Sequence, residues 1–337
     1  MRGARLACVS VDLDAIPHYL GLHGLHEVAV SEAVRHAVCR LALPRFLELF
    51  DALGIQATFF AVGEDLCDAP SAAMVRRACA AGHEIGNHTH SHPYGLTRLG
   101  LDALQEEVAR GESAIERVTG RRPRGFRAPG YAISAPLLSI LEARGYAYDS
   151  SAFPAAPYYL CKASVMGALR LVGRPSRAML DRPRVLAAPR LPYRPSRLEP
   201  YRAAPVRPAA SGLDLVELPM SVTPRTRLPF IGTSALLLPR RLLQLLYARL
   251  RPLPFLNFEL HGIDLVDAAD VNLPRLSAVQ RELNIPFAQK RARLFEILGA
   301  IRSDFEVLRL DAAAQALGRD RLGRQGVGAR CRGGDQA

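Results

Sequence analysis

Over residues 6–150, short apolar runs alternate with stretches of helical spacing. Leu6 to Val11 is a β-rich apolar run of the kind that forms a buried parallel strand. Phe46, Leu49, Phe50 and Leu53 recur on one helical face that ends at Gly54. Ala57-Thr-Phe-Phe-Ala-Val62 reads as the next strand, and Ala72 to Ala80 as a helix closed by Gly82. Leu101, Leu104, Val108 and Ile115 mark an amphipathic helix ending at Gly120. Gly125-Phe-Arg-Ala-Pro-Gly130 reads as a strand running into a turn, followed by a helix from Pro136 to Arg144 with Gly145 at its end. Repeated strand–helix units predict a parallel α/β sheet or barrel with helices outside it.

Residues 153–212 break this rhythm. Tyr158 to Val172 reads as one apolar helix, and a Pro/Arg-rich stretch follows through Arg182-Pro-Arg184, Pro189 to Pro195 and Pro205 to Pro208. Proline at this density excludes regular helix or central strand, so the segment is an insertion in the barrel. A solvated surface excursion and a lid over the cleft are both open readings. Strand and helix resume at Leu215 to Pro219, Arg240 to Leu250, Leu256 to His261, Phe287 to Ile301 and Phe305 to Leu310. The expected organisation is one domain over 1–317 and a disordered Gly/Arg-rich tail over 318–337.

Composition adds exclusions. No run approaches eighteen apolar residues, so no transmembrane helix is expected. The first strand begins so soon after Met1 that a signal peptide has no room, and a cytoplasmic location is expected. Six scattered cysteines without CxxC spacing point to neither disulfides nor a zinc knuckle. The net charge of +12 is arginine-based, since Lys162 and Lys290 are the sole lysines. No nucleic-acid-binding signature and no dinucleotide glycine fingerprint accompanies it. No basic amphipathic helix marks a membrane-surface protein, although association with the inner membrane face stays open.

Candidate chemistry gathers at three places. Asn87-His-Thr-His-Ser-His-Pro93 sets His88 and His92 four apart, which on a helical turn puts both imidazoles on one face. Asp12 and Asp14 stand at the end of the first strand, where a parallel α/β fold builds its active site. Two adjacent carboxylates repel unless a metal or an arginine neutralises one. Arg127 is a candidate for that part, and His261 closes a later strand at the same end.

These motifs, in this order, resemble the NodB-homology polysaccharide deacetylases, a family with a distorted (β/α) barrel. Ser10-Val-Asp-Leu-Asp14, His88-Thr-His-Ser-His92, Arg127-Ala-Pro-Gly-Tyr131 and Glu259-Leu-His261 match four of its motifs. The resemblance implies metal ligation by Asp14, His88 and His92, with Zn2+ the expected ion and Co2+, Mn2+, Ni2+ or Fe2+ as alternatives. It further implies Asp12 as general base, Arg127 as its holder and His261 as general acid. The backbone of Gly130 or Tyr131 would hold the oxyanion.

The chain also departs from the family. Leu13 separates the aspartates, as in branches the sequence resembles that act in the cytoplasm or as deformylases. Gly130-Tyr131 reverses the usual aromatic–glycine order. The family's tryptophan motif has no counterpart; Asp149 of Tyr148-Asp149-Ser-Ser is the nearest match and a candidate for orienting His261. Asp264 and Asp267 are rivals for that role, with solvated loop positions the expectation for both. The implied activity is metal-dependent cleavage of a non-peptide C–N amide, foremost N-deacetylation of an N-acetylated sugar, polysaccharide or glycoconjugate. A deformylase or ureide hydrolase, and a non-catalytic glycan-binding relative, are the alternatives. The substrate class includes anionic lipid-linked sugars, and a homo-oligomer is left open.

Overall fold

The computed structural model describes residues 5–171, 173–180, 182–205 and 212–320. At its centre lies β1 (Leu6–Asp12), buried along its whole length. It pairs in parallel with β7 (Phe255–His261) from Leu6↔Phe255 to Asp12↔His261. On its other side two strands lie end to end. β8 (Glu306–Leu308) covers Leu6 to Cys8, and β2 (Thr58–Ala61) covers Ser10 to Asp12. From β2 the sheet continues through β3 (Glu84–Asn87), β4 (Gly125–Phe126), β5 (Tyr148–Asp149) and β6 (Val216–Glu217), every pair parallel.

β6 and β7, the ends of this path, share no ladder, yet the chain just past β6 reaches β7. Ser221 N donates to Asn257 O at 3.1 Å, and Asn257 N donates to Ser221 Oγ at 2.8 Å. The architecture is the distorted (β/α) barrel, with one seam closed by a loop.

Parallel strands require crossovers, and here helices supply most of them. Leu43–Leu53 buries Phe46, Leu49, Phe50 and Leu53 and ends at Gly54 with φ +60°. Leu101–Thr119 and Ala135–Ala143 bury Leu104, Val108, Leu137 and Leu141 in a second apolar cluster. Several short elements escape the hydrophobic pattern, among them β3, the helix Ile16–Leu22 and the π-turn Val38–Ala42. Each is too short to display a sustained apolar period.

The barrel interior is not purely apolar. Arg127, Asp149, Ser150, Glu217, Asn257 and Glu259 are all fully buried, and such groups are tolerated only within a hydrogen-bonded network.

The insertion is ordered where described. It contains the helix Ala156–Leu171 and folds back through bridges Tyr193↔Glu217, Pro195↔Ala203 and Ser196↔Gly212. Val172 of the expected helix lies outside the described residues. So do residues 321–337 of the expected tail, whereas 318–320 complete the helix Leu310–Asp320.

Candidate metal centre and active site

Asp14, His88 and His92 come together at the carboxyl ends of β1 and β3. His88 Nε2 and His92 Nε2 each lie 3.2 Å from Asp14 Oδ1. All three residues are buried. Asp14 Oδ1 nonetheless has no hydrogen-bond partner among the described residues. Burial alone would raise the Asp14 carboxyl, but the two imidazoles outweigh it and hold it well below the usual range. Burial would likewise lower His88, while Asp12 and Asp14 turn its shift upward. A carboxylate and two imidazoles at this spacing form a site that favours a cation. The separations approach the ~3.3 Å edge of a tetrahedron with ~2.0 Å metal–ligand bonds, so the donor set fits a divalent ion.

The route by which the histidines meet differs from the helical turn their spacing predicts. His88 N continues the sheet, donating to Ala61 O at 3.0 Å. An irregular loop follows, with Thr89 and His92 in left-handed conformations at φ +69° and +55°. Side chains hold it there. Asn87 Oδ1 accepts from Thr89 N at 2.9 Å, and Thr89 Oγ1 accepts from His92 N at 3.1 Å. Glu107 accepts from the backbone of His90 and Ser91. The loop lies directly on Gly111, where a Cβ would stand 2.4 Å from Asn87 Oδ1 and 2.8 Å from the Thr89 carbonyl carbon. That contact explains a glycine inside a nineteen-residue helix. His90 turns away, its Nε2 2.7 Å from Arg110 Nη2.

His88 Nδ1 is 2.7 Å from Arg127 O, an arrangement that fixes the tautomer leaving Nε2 to bind a metal. The Arg127 side chain is buried under the site. Its Nη1 donates to Asp12 Oδ1 at 2.6 Å, and its Nε and Nη2 donate to Ser150 O and Oγ at 2.8 and 2.9 Å. Burial acts to lower this guanidinium, and Asp12 and Glu259 more than compensate. The other Asp12 oxygen, Oδ2, faces His88 Nε2 at 4.0 Å.

His261 ends β7 beside Asp12, and Glu259 precedes it by two residues on the same face of the strand. Glu259 Oε1 lies 3.3 Å from His261 Nε2. The Tyr131 hydroxyl sits between them, donating to Glu259 Oε1 at 2.7 Å and lying 3.2 Å from His261 Nε2. Burial opposes the charged imidazole, yet Glu259, Asp12, Asp14 and Asp264 raise His261 to about 9. Burial pushes Glu259 up to about 7, against the pull of His261.

Several expectations are corrected here. Asp149 does not meet His261. It stands opposite Glu217 in the β5–β6 register and accepts from Ser151 Oγ at 2.6 Å. The carboxylate at His261 is Glu259, which sequence reasoning passed over as part of a hydrophobic strand. Its signal was the i, i+2 alternation that puts residues 259 and 261 on one face. Asp264 is buried rather than solvated and accepts from His261 N at 2.9 Å. Asp267 caps the short helix Ala268–Val271. The Tyr131 amide donates to Ala128 O at 3.1 Å, so what Tyr131 brings to the site is its hydroxyl. His18 also went unnoticed: its ring stacks on His92 at 4.2 Å, and burial above all drives it down to about 3, so it stays neutral.

Fold and site together define a parallel barrel with a two-histidine, one-carboxylate cluster at its strand ends. Residues 39–148 match the family model for polysaccharide deacetylase, and curated relatives that match the chain are deacetylases. The matched stretch holds His88, His92 and Arg127, while β1 and β7 bring in Asp12, Asp14 and His261 from outside it. A peptidoglycan deacetylase of Helicobacter pylori is 28% identical over 159 residues, 46% of this chain and 53% of that protein. A peptidoglycan-N-acetylglucosamine deacetylase of Bacillus cereus is 34% identical over 86 residues, 26% of this chain and 30% of that one. The chain thus spans about half or less of the length of these curated relatives.

Two crystal structures share the fold over nearly the whole chain. A candidate polysaccharide deacetylase from Mycobacterium smegmatis has a TM-score of 0.60 at 17% identity, covering 94% of this chain and 91% of that one. Puue allantoinase has a TM-score of 0.56 at 17% identity, covering 96% and 93%.

Proposed function

We propose that this chain is a metal-dependent hydrolase that removes the acetyl group from an N-acetylated sugar, polysaccharide or glycoconjugate, acting through one domain over residues 1–317. The convergence of Asp14, His88 and His92 beside the Arg127-held Asp12 carries this reading. The curated relatives, a peptidoglycan deacetylase and a peptidoglycan-N-acetylglucosamine deacetylase, support this substrate class.

Asp14, His88 and His92 would hold the ion, Zn2+ being the one that best suits two imidazoles and a carboxylate. Held there, a divalent ion would supply Lewis acidity for the hydrolysis of an amide. Asp12, with Oδ1 fixed by Arg127, keeps Oδ2 turned toward the cluster to take the proton of the attacking water. His261, protonated at neutral pH, donates to the departing amine, which is otherwise a poor leaving group. The Tyr131 hydroxyl and Glu259 orient that imidazole and keep its proton in place. The Gly130 amide, in a turn at φ +68°, is the backbone donor for the oxyanion.

The test is amine release from N-acetylated chito-oligosaccharides by the metal-loaded protein. No release from these or from peptidoglycan fragments, with one ion bound per chain, would sink the substrate assignment.

A further inference from the structure

The helix Ala156–Leu171 presents water with a face of the wrong chemistry. Leu160, Val165 and Leu171 are 69%, 45% and 90% exposed. Cys161, Ser164, Gly167 and Ala168 are exposed among them. At 100° per residue these seven positions fall within an arc of about 160° that contains no charged side chain. A solvated helix face normally carries charge there. The other side is anchored: Tyr159 is buried in the core beneath, and the Tyr158 ring packs against Tyr131 and Phe153 at 5.9 and 5.0 Å.

The segment that carries this helix is cationic. Residues 153–212 contain eleven basic residues and two acidic ones, so most of the chain's net charge of +12 arises there. Some of these cations are neutralised within the fold: Arg184 pairs with Glu199, Arg194 with Asp214 and Arg197 with Glu142. Arg170, Arg174 and Arg177, which end and follow the helix, make no ion pair among the described residues. An uncharged apolar face bordered by cations complements a bilayer with anionic headgroups: side chains enter the acyl boundary and guanidiniums meet phosphates.

The helix also borders the active site. Lys162, on the same helix, places its Nζ 5.6 Å from the centre of the Tyr158 ring and beside the Gly130 turn. Tyr131, which Tyr158 contacts, reaches His261. No described helix is long and apolar enough to cross a membrane, so attachment through this helix is to the surface.

We propose that the exposed face of Ala156–Leu171, with Arg170, Arg174 and Arg177, docks the protein on an anionic lipid surface and presents lipid-borne N-acyl sugars to the metal centre. The docking stands on the helix itself; the substrate half rests on the hydrolase reading above.

The full chain is sedimented with vesicles of phosphatidylcholine alone and of phosphatidylcholine and phosphatidylglycerol in equal parts. Binding to the anionic vesicles is expected, with loss in high salt. The triple variant Leu160→Ser, Val165→Ser, Leu171→Ser should bind them at least about tenfold more weakly, given the apolar area removed. Its metal content and its hydrolysis of a soluble N-acetylated oligosaccharide should be unchanged. No binding by the parent, or equal binding by the variant, overturns the proposal. A parent that is dimeric in solution, ignores vesicles and becomes monomeric on the triple substitution assigns the face to a second copy and overturns it too. Vesicle binding without hydrolysis of any N-acyl sugar leaves the docking surface standing and removes the catalytic reading.

Discussion

The Tyr131 hydroxyl links Glu259 and His261, 2.7 Å from a carboxylate oxygen of one and 3.2 Å from Nε2 of the other. Tyr131 arrives from the turn after β4 and the other two from β7, so the barrel's curvature sets the distance. Glu259 is the foremost of the charges that raise His261 to about 9. The sign follows from the role. A general acid works while protonated, so activity should fall as pH rises through the His261 value. A divalent ion beside Asp14 cancels part of the same field, so the limb of the loaded enzyme should lie below the metal-free titration. Glu259→Gln should move it down further, toward the ordinary imidazole range. Tyr131→Phe should lower kcat roughly ten- to a hundredfold with the metal retained. A pH–rate profile of each variant checks this, and limbs that stay where the parent's is would reduce both residues to packing.

Metal binding should depend on Asp14, His88 and His92 together. His88→Ala should leave the folded protein without its ion, because the two remaining donors cannot hold it in a buried site. Elemental analysis after dialysis reads this directly. A variant as loaded as the parent would place the metal elsewhere.

The two aspartates should separate. Asp12→Asn keeps a side chain that accepts from Arg127 but can no longer take a proton. Turnover should drop roughly 10²–10⁴-fold with full metal occupancy. Asp14→Asn should lose metal and turnover alike. Single-turnover rates alongside metal content distinguish the two, and the opposite pattern would exchange their roles.

Gly111 offers a test far from the chemistry. Alanine there would place its Cβ 2.4 Å from Asn87 Oδ1, forcing the 87–92 loop off its seat. Stability should fall by about 1–3 kcal/mol, and metal affinity should fall with it because His88 and His92 ride on that loop. Thermal melts and metal titration measure the two effects. Lost stability with unchanged affinity would show the loop to be held by Glu107 alone.

The sequence by itself determined the alternation of elements, and with it the parallel barrel, because strand and helix periodicities are local properties of side-chain direction. The buried run of β1, the helix stopped at Gly54 and the placing of Asp12, Asp14, Arg127 and His261 at strand ends were all legible in this way. The histidine pair was legible as a spacing but not as a shape: the left-handed Thr89 and His92 depend on hydrogen bonds from Asn87 and on room over Gly111. Alternation puts Glu259 on the face of His261, but only the tertiary structure decided that Asp149 pairs elsewhere and that Tyr131 joins them. Register sets Asp149 opposite Glu217, and barrel closure brings Tyr131 to Glu259 from 128 positions away. Only the tertiary structure could show that an apolar stretch near residue 160 buries Tyr159 and leaves Leu160, Val165 and Leu171 exposed. Burial depends on what packs against a helix, and composition along the chain does not contain that.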